Sequence, residues 1–272
     1  MRLISLNLNG LRASARRGFR DWLETARPDV LALQEVRCPP SDIPPEAVAG
    51  WHWTLAAGRL AGRNGVALLS AQAPSAVRVD LDGADEFADE GRYLEADFDL
   101  DGGGLTVASL YLPKGAVPQL SPAAQAKHER KLRFCQALSE QLAASLARAG
   151  RAGRQFTVLG DFNIARTPQD LHNNHSRQPL DGFLPDERDW LTGLIDQLDL
   201  VDVVRRLHPD QAGPYSWWSW RGQAWSLDRG WRIDYHLSTP GLAERARRAD
   251  TERAASYEAR LSDHAPVVVE YE

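Results

Sequence analysis

Short apolar runs bounded by Gly, Pro, Asp or Asn recur along the chain from Leu3 to Leu8, Val30 to Leu33, Gly65 to Leu69, Tyr93 to Phe98, Leu105 to Leu110, Phe156 to Leu159, Ile233 to Leu237 and Pro266 to Glu270. Their length and their Val, Leu and Ile content predict strands. Between them lie helical patterns. Ser121 and Pro122 give an N-cap and first-turn signal, Leu132, Cys135, Leu138, Leu142 and Leu146 fall on one face, and Gly150 supplies a stop. A second amphipathic helix is predicted from Asp186 to Leu200, with Trp190, Leu191, Leu194, Ile195 and Leu198 inward. Strands also follow one another directly, as between Tyr93 and Leu110, so the pattern predicts mixed sheets in a sandwich with helices outside. No linker or repeat divides it, and residues 1–272 are expected to form one domain.

Composition adds little to this picture but removes several classes. Hydrophobic content of 43% and charged content of 25% exclude a disordered chain. The opening "MRLISLNLNG" lacks the order of a signal peptide, and no apolar run approaches the roughly 20 residues of a membrane span. A cytoplasmic protein without a membrane partner is expected. Net charge of −5 argues against an unspecific nucleic-acid coat, while Arg12, Arg16, Arg17 and Arg20 leave room for a local basic face. Cys38 and Cys135 form neither a disulfide framework nor a metal-ligand spacing.

The chemistry lies at the strand ends. "LNLNG" carries Asn7 and Asn9, "VLALQE" runs into Glu35, and "SLYLP" holds Tyr111. "VLGDFN" adds Asp161 and Asn163, "WRIDYHLS" Asp234 and His236, and "LSDHAP" Asp263 and His264. Each alone reads as a turn, a surface acid or a core residue. Together they resemble a site built at one end of a sheet. In "FTVLGDFN", alternation predicts Asp161 and Asn163 on one side and Phe162 on the other.

Carboxylates and amides without a His or Cys cluster favour a hard ion, Mg²⁺ or Mn²⁺, over zinc. Neither a P-loop nor a nucleophile elbow is present, so water is the expected nucleophile. Phosphate-ester hydrolysis requires about 20 kcal/mol of barrier lowering. Acid–base catalysis supplies roughly 3–5 kcal/mol of this, leaving most to a metal and oriented donors.

"SLNLNGLR", "LALQE", "SLYLP", "VLGDFNIA", "GFLPDERDWL", "YSWWSWRGQA", "GWRIDY" and "LSDHAPVVVEY" stand in the order of the exonuclease III family of abasic-site endonucleases, from end to end of the chain. The resemblance implies an α/β fold, a four-layer sandwich of two mixed sheets face to face between helices. It implies a Mg²⁺-dependent DNA-repair phosphodiesterase that incises 5′ to an abasic site and leaves a 3′-hydroxyl, with 3′-phosphodiesterase, 3′-phosphatase or 3′→5′ exonuclease activity in varying proportion. Double-stranded DNA with abasic sites or blocked 3′ ends is the implied partner of a monomeric enzyme.

Carried over by residue, Glu35 resembles the principal metal ligand, with Asn7, Asn9 and Asp263 beside it. Asp161 is expected to orient or deprotonate the attacking water, Asn163 and Tyr111 to contact the scissile phosphate, and His264, held by Asp234, to stabilise phosphoryl charge. His236 falls outside the pattern and reads as structural. Trp217 and Ile233 are expected to wall a pocket for the extruded sugar, which has no base to unstack. Asn173, Arg63 and Arg92 resemble DNA contacts. Lys114 stands where relatives commonly carry an amide, a departure that bears on the balance of endonuclease and exonuclease activity.

Two other readings compete. A superfamily nuclease or phosphatase without abasic-site preference would share Asn7, Glu35, Asp161, Asn163 and His264 but would not need "YSWW" or "GWRIDY". A non-catalytic nucleic-acid-binding regulator would be expected to have lost the acids or the histidine, and this chain keeps them.

Overall fold

A computed structural model describes residues 1–60, 62–100, 103–172 and 179–272. The strands are β1 (Arg2–Asn7), β2 (Val30–Gln34), β3 (His52–Ala56), β4 (Val66–Ser70), β5 (Ala76–Val79), β6 (Tyr93–Leu100), β7 (Gly103–Tyr111), β8 (Gln155–Asp161), β9 (Val201–Asp202), β10 (Asp234–Ser238), β11 (Ala246–Thr251) and β12 (Val267–Tyr271). The helices are α1 (Leu11–Ala15), α2 (Phe19–Ala26), α3 (Pro45–Val48), α4 (Pro122–Arg151), α5 (Pro185–Gln197), α6 (Val203–Leu207) and α7 (Pro240–Ala243).

The strands form two six-stranded sheets, ordered β11-β12-β1-β2-β4-β3 and β5-β6-β7-β8-β10-β9. Each holds one parallel pair, β1 with β2 and β7 with β8. The other pairs are antiparallel, so both sheets are mixed as expected.

Alternation along each strand divides its side chains between two layers. Leu3, Val30, Ala32, Val66 and Leu68 of the first sheet meet Leu94, Ala96, Phe98, Leu105 and Val107 of the second in one buried cluster, placing the sheets face to face. Ile4, Leu6, Leu31 and Leu33 turn the other way, onto Phe19 and Leu23 of α2. On the far side, Phe156, Val158, Tyr235 and Leu237 pack under Phe134, Leu138 and Leu142 of α4 and Leu191 and Leu194 of α5. The result is the expected four-layer sandwich.

Helix α4 starts where the sequence predicts, with Ser121 Oγ accepting from the Ala124 amide at 3.1 Å and Pro122 in the first turn. Helix α5 ends at Gln197, short of the expected Leu200, which is buried beyond the helix. Both cysteines are free and buried. Among the described residues no helix is long and apolar enough to cross a membrane.

His236, on β10, is structural: it is fully buried, and its Nε2 donates to the Val267 carbonyl at 3.1 Å. Among the described residues its Nδ1 has no partner. Burial pulls its pKa down to about 4. A histidine depressed in the fold contributes stability that is complete above its unfolded pKa and is lost as pH falls toward the folded value. Between pH 6.5 and 4 the expected loss is about 3 kcal/mol. Urea unfolding across this range should show it in the wild type, and His236→Gln should remove that component; an identical pH slope in the variant refutes the assignment.

Candidate active site

Topology brings the polar strand ends together. The parallel strands β1, β2, β7 and β8 end near Asn7, Glu35, Tyr111 and Asp161. Strand β10 runs antiparallel to β8 and so begins at the same edge, with Asp234 opposite Asp161. Strand β12 is likewise antiparallel to β1, which delivers Asp263 and His264 from the loop before it. A single cavity of about 440 Å³ is lined by Asn9, Glu35, Tyr111, Asp161, Asn163, Asp263 and His264.

Gly160 lets β8 approach β7 here, since a Cβ would lie 2.0 Å from the Leu110 carbonyl oxygen. Strand β8 stops at Asp161, and Asn163 has a left-handed φ of 49°. Its amide donates to Asp161 Oδ1 at 2.8 Å. A turn closed by Asp161, rather than continued strand alternation, therefore sets the two side chains together. Phe162 does face away, buried edge-on against Tyr235.

Asp161 is 1% exposed, and its Oδ2 accepts from Asn7 Nδ2 at 2.9 Å. Burial, with Asp234 and Glu35 nearby, holds its carboxyl above the ordinary range against the opposing pull of His264. His264 Nε2 lies 3.7 Å from Asp161 Oδ2, and Nδ1 is 2.8 Å from Asp234 Oδ2. Burial opposes the imidazolium, but Asp234 and then Asp161 and Asp263 outweigh it and raise its pKa to about 10. Ser216 fixes Asp234, donating from Oγ at 2.6 Å while accepting from the Ile233 and Asp234 amides. Tyr111 stays a protonated phenol, because burial and the charges of Glu35 and Asp161 push its pKa up.

Around Glu35 the donors are hard oxygens. Asn7 Nδ2 donates to Glu35 Oε1 at 2.9 Å as well as to Asp161, while Asn7 Oδ1 accepts from the Asn9 amide. Asn7 thus bridges the two carboxylates. Asn9 Nδ2 donates to Asp263 Oδ1 at 2.9 Å, and Trp217 Nε1 to its Oδ2 at 3.1 Å. Burial disfavours the Asp263 anion, but His264, Trp217 and Asn9 overcome this and keep its pKa low. The guanidinium of Arg37 sits against Glu35 Oε2, so that oxygen draws a cation. This oxygen-rich set fits a hard divalent ion. Asp161, Asp234 and His264 also place ligand atoms within 4.8 Å of one another. There His264 Nδ1 is already committed to Asp234, so these three suit proton and charge handling better than ligation.

Next to this cluster the cavity is walled by Leu180, Gly182, Trp217, Trp231 and Ile233. Trp217 and Trp231 exchange backbone hydrogen bonds at 2.9 Å, and their rings meet edge to face. Lys114 is exposed at this wall, its Nζ 6.0 Å from the centre of the Trp217 ring. Arg63 is exposed outside the cavity. Arg92 lies behind Tyr111, bonded to Glu90 and the Tyr111 carbonyl, with its guanidinium over the Tyr111 ring. That contact makes Arg92 a support for Tyr111. Asn173 lies outside the described residues.

Three participants escaped the sequence reading. Trp231 and Ser216 stand within "GWRIDY" and "YSWW", where only their neighbours were singled out. Lys131 gives no local signal, sitting mid-helix on α4. It is fully buried, and its Nζ donates to the Asn163 carbonyl at 3.0 Å and to Glu187 Oε1 at 2.6 Å. It thereby pins the left-handed residue that carries the amide into the site.

The Endonuclease/Exonuclease/phosphatase family profile matches residues 4–264. Exodeoxyribonuclease III of Haemophilus influenzae is 32% identical over the whole of both chains. The 3′ phosphatase NExo from Neisseria, solved with a product DNA hairpin, superposes with a TM-score of 0.84 at 29% identity, covering 100% of this chain and 99% of that one. An AP endonuclease from Archaeoglobus fulgidus superposes with a TM-score of 0.83 at 28% identity, covering 100% and 99%. With the strand-end residues of both sheets now gathered around one cavity and the likeness running from end to end, this chain belongs to the exonuclease III branch of the endonuclease/exonuclease/phosphatase family.

Proposed function

We propose that the chain is a Mg²⁺-dependent DNA-repair phosphodiesterase that hydrolyses the backbone 5′ to abasic sites, leaving a 3′-hydroxyl, with some activity on blocked 3′ ends. One observation carries this reading: the carboxylate–histidine cluster opens directly into a cavity walled by two tryptophans and Ile233. A base-free sugar fits such an apolar recess, whereas an intact nucleotide brings a base that must be unpaired and housed. The DNA hairpin held by the Neisseria relative supports a DNA substrate.

In this mechanism Asp161 takes a proton from the attacking water, a task suited to a carboxyl whose basicity burial has raised. Asn163 Nδ2, one hydrogen of which goes to the Leu112 carbonyl at 2.9 Å, donates its other hydrogen toward the phosphoryl oxygens beside Tyr111 Oη and His264 Nε2, with Asp234 and Ser216 keeping the imidazolium charged and oriented. Glu35 and Asp263, with Asn9, would hold the Mg²⁺, which Mn²⁺ can replace; when bound, it supplies electrostatic stabilisation of the phosphate. Lys114 and Arg63 add backbone contacts.

Incubation of a duplex carrying one abasic site, beside the undamaged duplex, with Mg²⁺ and with EDTA, tests the reading. Incision 5′ to the lesion is expected only with the metal, and apparent DNA affinity should fall as salt rises. Equal cutting of both duplexes removes the lesion preference. Undiminished cutting in EDTA removes the metal.

A further inference from the structure

Lys131, fully buried on α4, has no part in the mechanism above. Its Nζ donates to Glu187 Oε1 at 2.6 Å and to the Asn163 carbonyl at 3.0 Å. Glu187 is fully buried too, and its Oε2 accepts from the Leu184 amide at 2.9 Å, where α5 begins. A Cβ at Gly115 would lie 2.9 Å from Lys131 Cδ, so the segment after β7 closes over the lysine stem. Exchanging a buried ion pair for apolar side chains of like volume is often neutral or favourable, because desolvation offsets the attraction. The pair by itself therefore gives no reason for a lysine here. The bond to Asn163 does, since an apolar side chain cannot make it.

Asn163 has a left-handed φ of 49°, which a residue other than glycine keeps only where its surroundings hold it. Three bonds do so. Its amide donates to Asp161 Oδ1, its Nδ2 to the Leu112 carbonyl, and its own carbonyl accepts from Lys131. Gly182, from the wall of the recess, lies against the same carbonyl, and a Cβ there would be 2.8 Å from its oxygen. The phosphate donor and the recess wall thus meet at the atom that Lys131 holds.

Resting on the function proposed above, we propose that Lys131 is a positioning residue: through the Asn163 carbonyl it sets how Asn163 Nδ2 meets the scissile phosphate, and so governs the chemical step rather than DNA binding. Lys131→Met/Glu187→Gln removes both charges of the pair at nearly unchanged volume. Its rate constant for single-turnover cleavage of an abasic-site duplex should fall about 10–100-fold, with DNA affinity in EDTA unchanged. Asn163→Gly keeps the left-handed backbone without strain and lacks the side-chain amide. In that background the same two changes should cost about twofold further at most. Time constants at saturating enzyme do not depend on the folded fraction. Where the double variant folds poorly, Glu187→Gln alone gives a second reading: Lys131 can keep its bond to the carbonyl, so the urea midpoint should fall while cleavage stays at the wild-type rate. A wild-type rate in Lys131→Met/Glu187→Gln, an equal loss in both backgrounds, a loss confined to DNA affinity, or slowed cleavage by Glu187→Gln overturns the assignment. Asn163→Gly cleaving as fast as wild type would instead overturn the role of Asn163 on which it rests.

Discussion

Asp161→Asn is expected to lower abasic-site cleavage by about 10³-fold or more while leaving DNA affinity within a few-fold of wild type. The substitution is nearly isosteric, but the Asn163 amide donates to Oδ1 and Asn7 Nδ2 to Oδ2, so the amide of Asn can accept only one of these two bonds. What disappears is the proton acceptor. The expected loss exceeds that of an ordinary hydrogen-bond deletion because Asp161 is 1% exposed, and bulk water is poorly placed to act as a base in its stead. Removing a negative charge beside the phosphate also relieves repulsion, so binding should hold steady or tighten. Gel-shift titration in EDTA beside single-turnover cleavage in Mg²⁺ separates the two effects. Cleavage within tenfold of wild type would show that Asp161 merely orders its neighbours, and a collapse of binding together with cleavage would assign it to the frame.

The sequence reading succeeded where burial was continuous and missed what was half exposed. All eight predicted strands are present, and the missed ones, β3, β5, β9 and β11, are the four edges of the two sheets. An edge strand leaves one rim to solvent and admits charge, as the exposed Arg247 and Arg248 of β11 show. No apolar run marks it. In the site, residues bearing charge or an amide at a strand end were legible because a sheet puts its ends at one rim. Lys131 was not legible. Its place behind Asn163 arises from α4 and the turn at Gly182 meeting there, a contact between segments far apart in the chain.

The second large effect is expected from a residue that touches no substrate. Asp234→Asn should reduce cleavage at neutral pH by about 10²–10⁴-fold, with the loss easing as pH is lowered. Burial alone would favour neutral His264, and Asp234 is the largest influence holding its pKa up near 10. In wild type the imidazolium therefore persists through the neutral range, aimed by Nδ1 at Asp234 and by Nε2 toward Asp161. With the charge at Asp234 removed, His264 keeps its proton only in more acidic solution, so the variant's cleavage should fall with rising pH where that of wild type does not. Stability should follow the same linkage. A histidine raised in the fold contributes stability that is complete below its unfolded pKa of about 6.5 and is lost as pH rises through the folded value. In wild type that contribution fades toward pH 10; in the variant it should be absent across the same window. Ser216 loses its acceptor if the amide turns its nitrogen toward Oγ, so Asp234→Glu and Ser216→Ala serve as controls that disturb the geometry and keep the charge. If Asp234→Asn instead keeps the wild-type pH profile at a reduced rate, the pair acts by geometry alone and His264 works as a neutral donor.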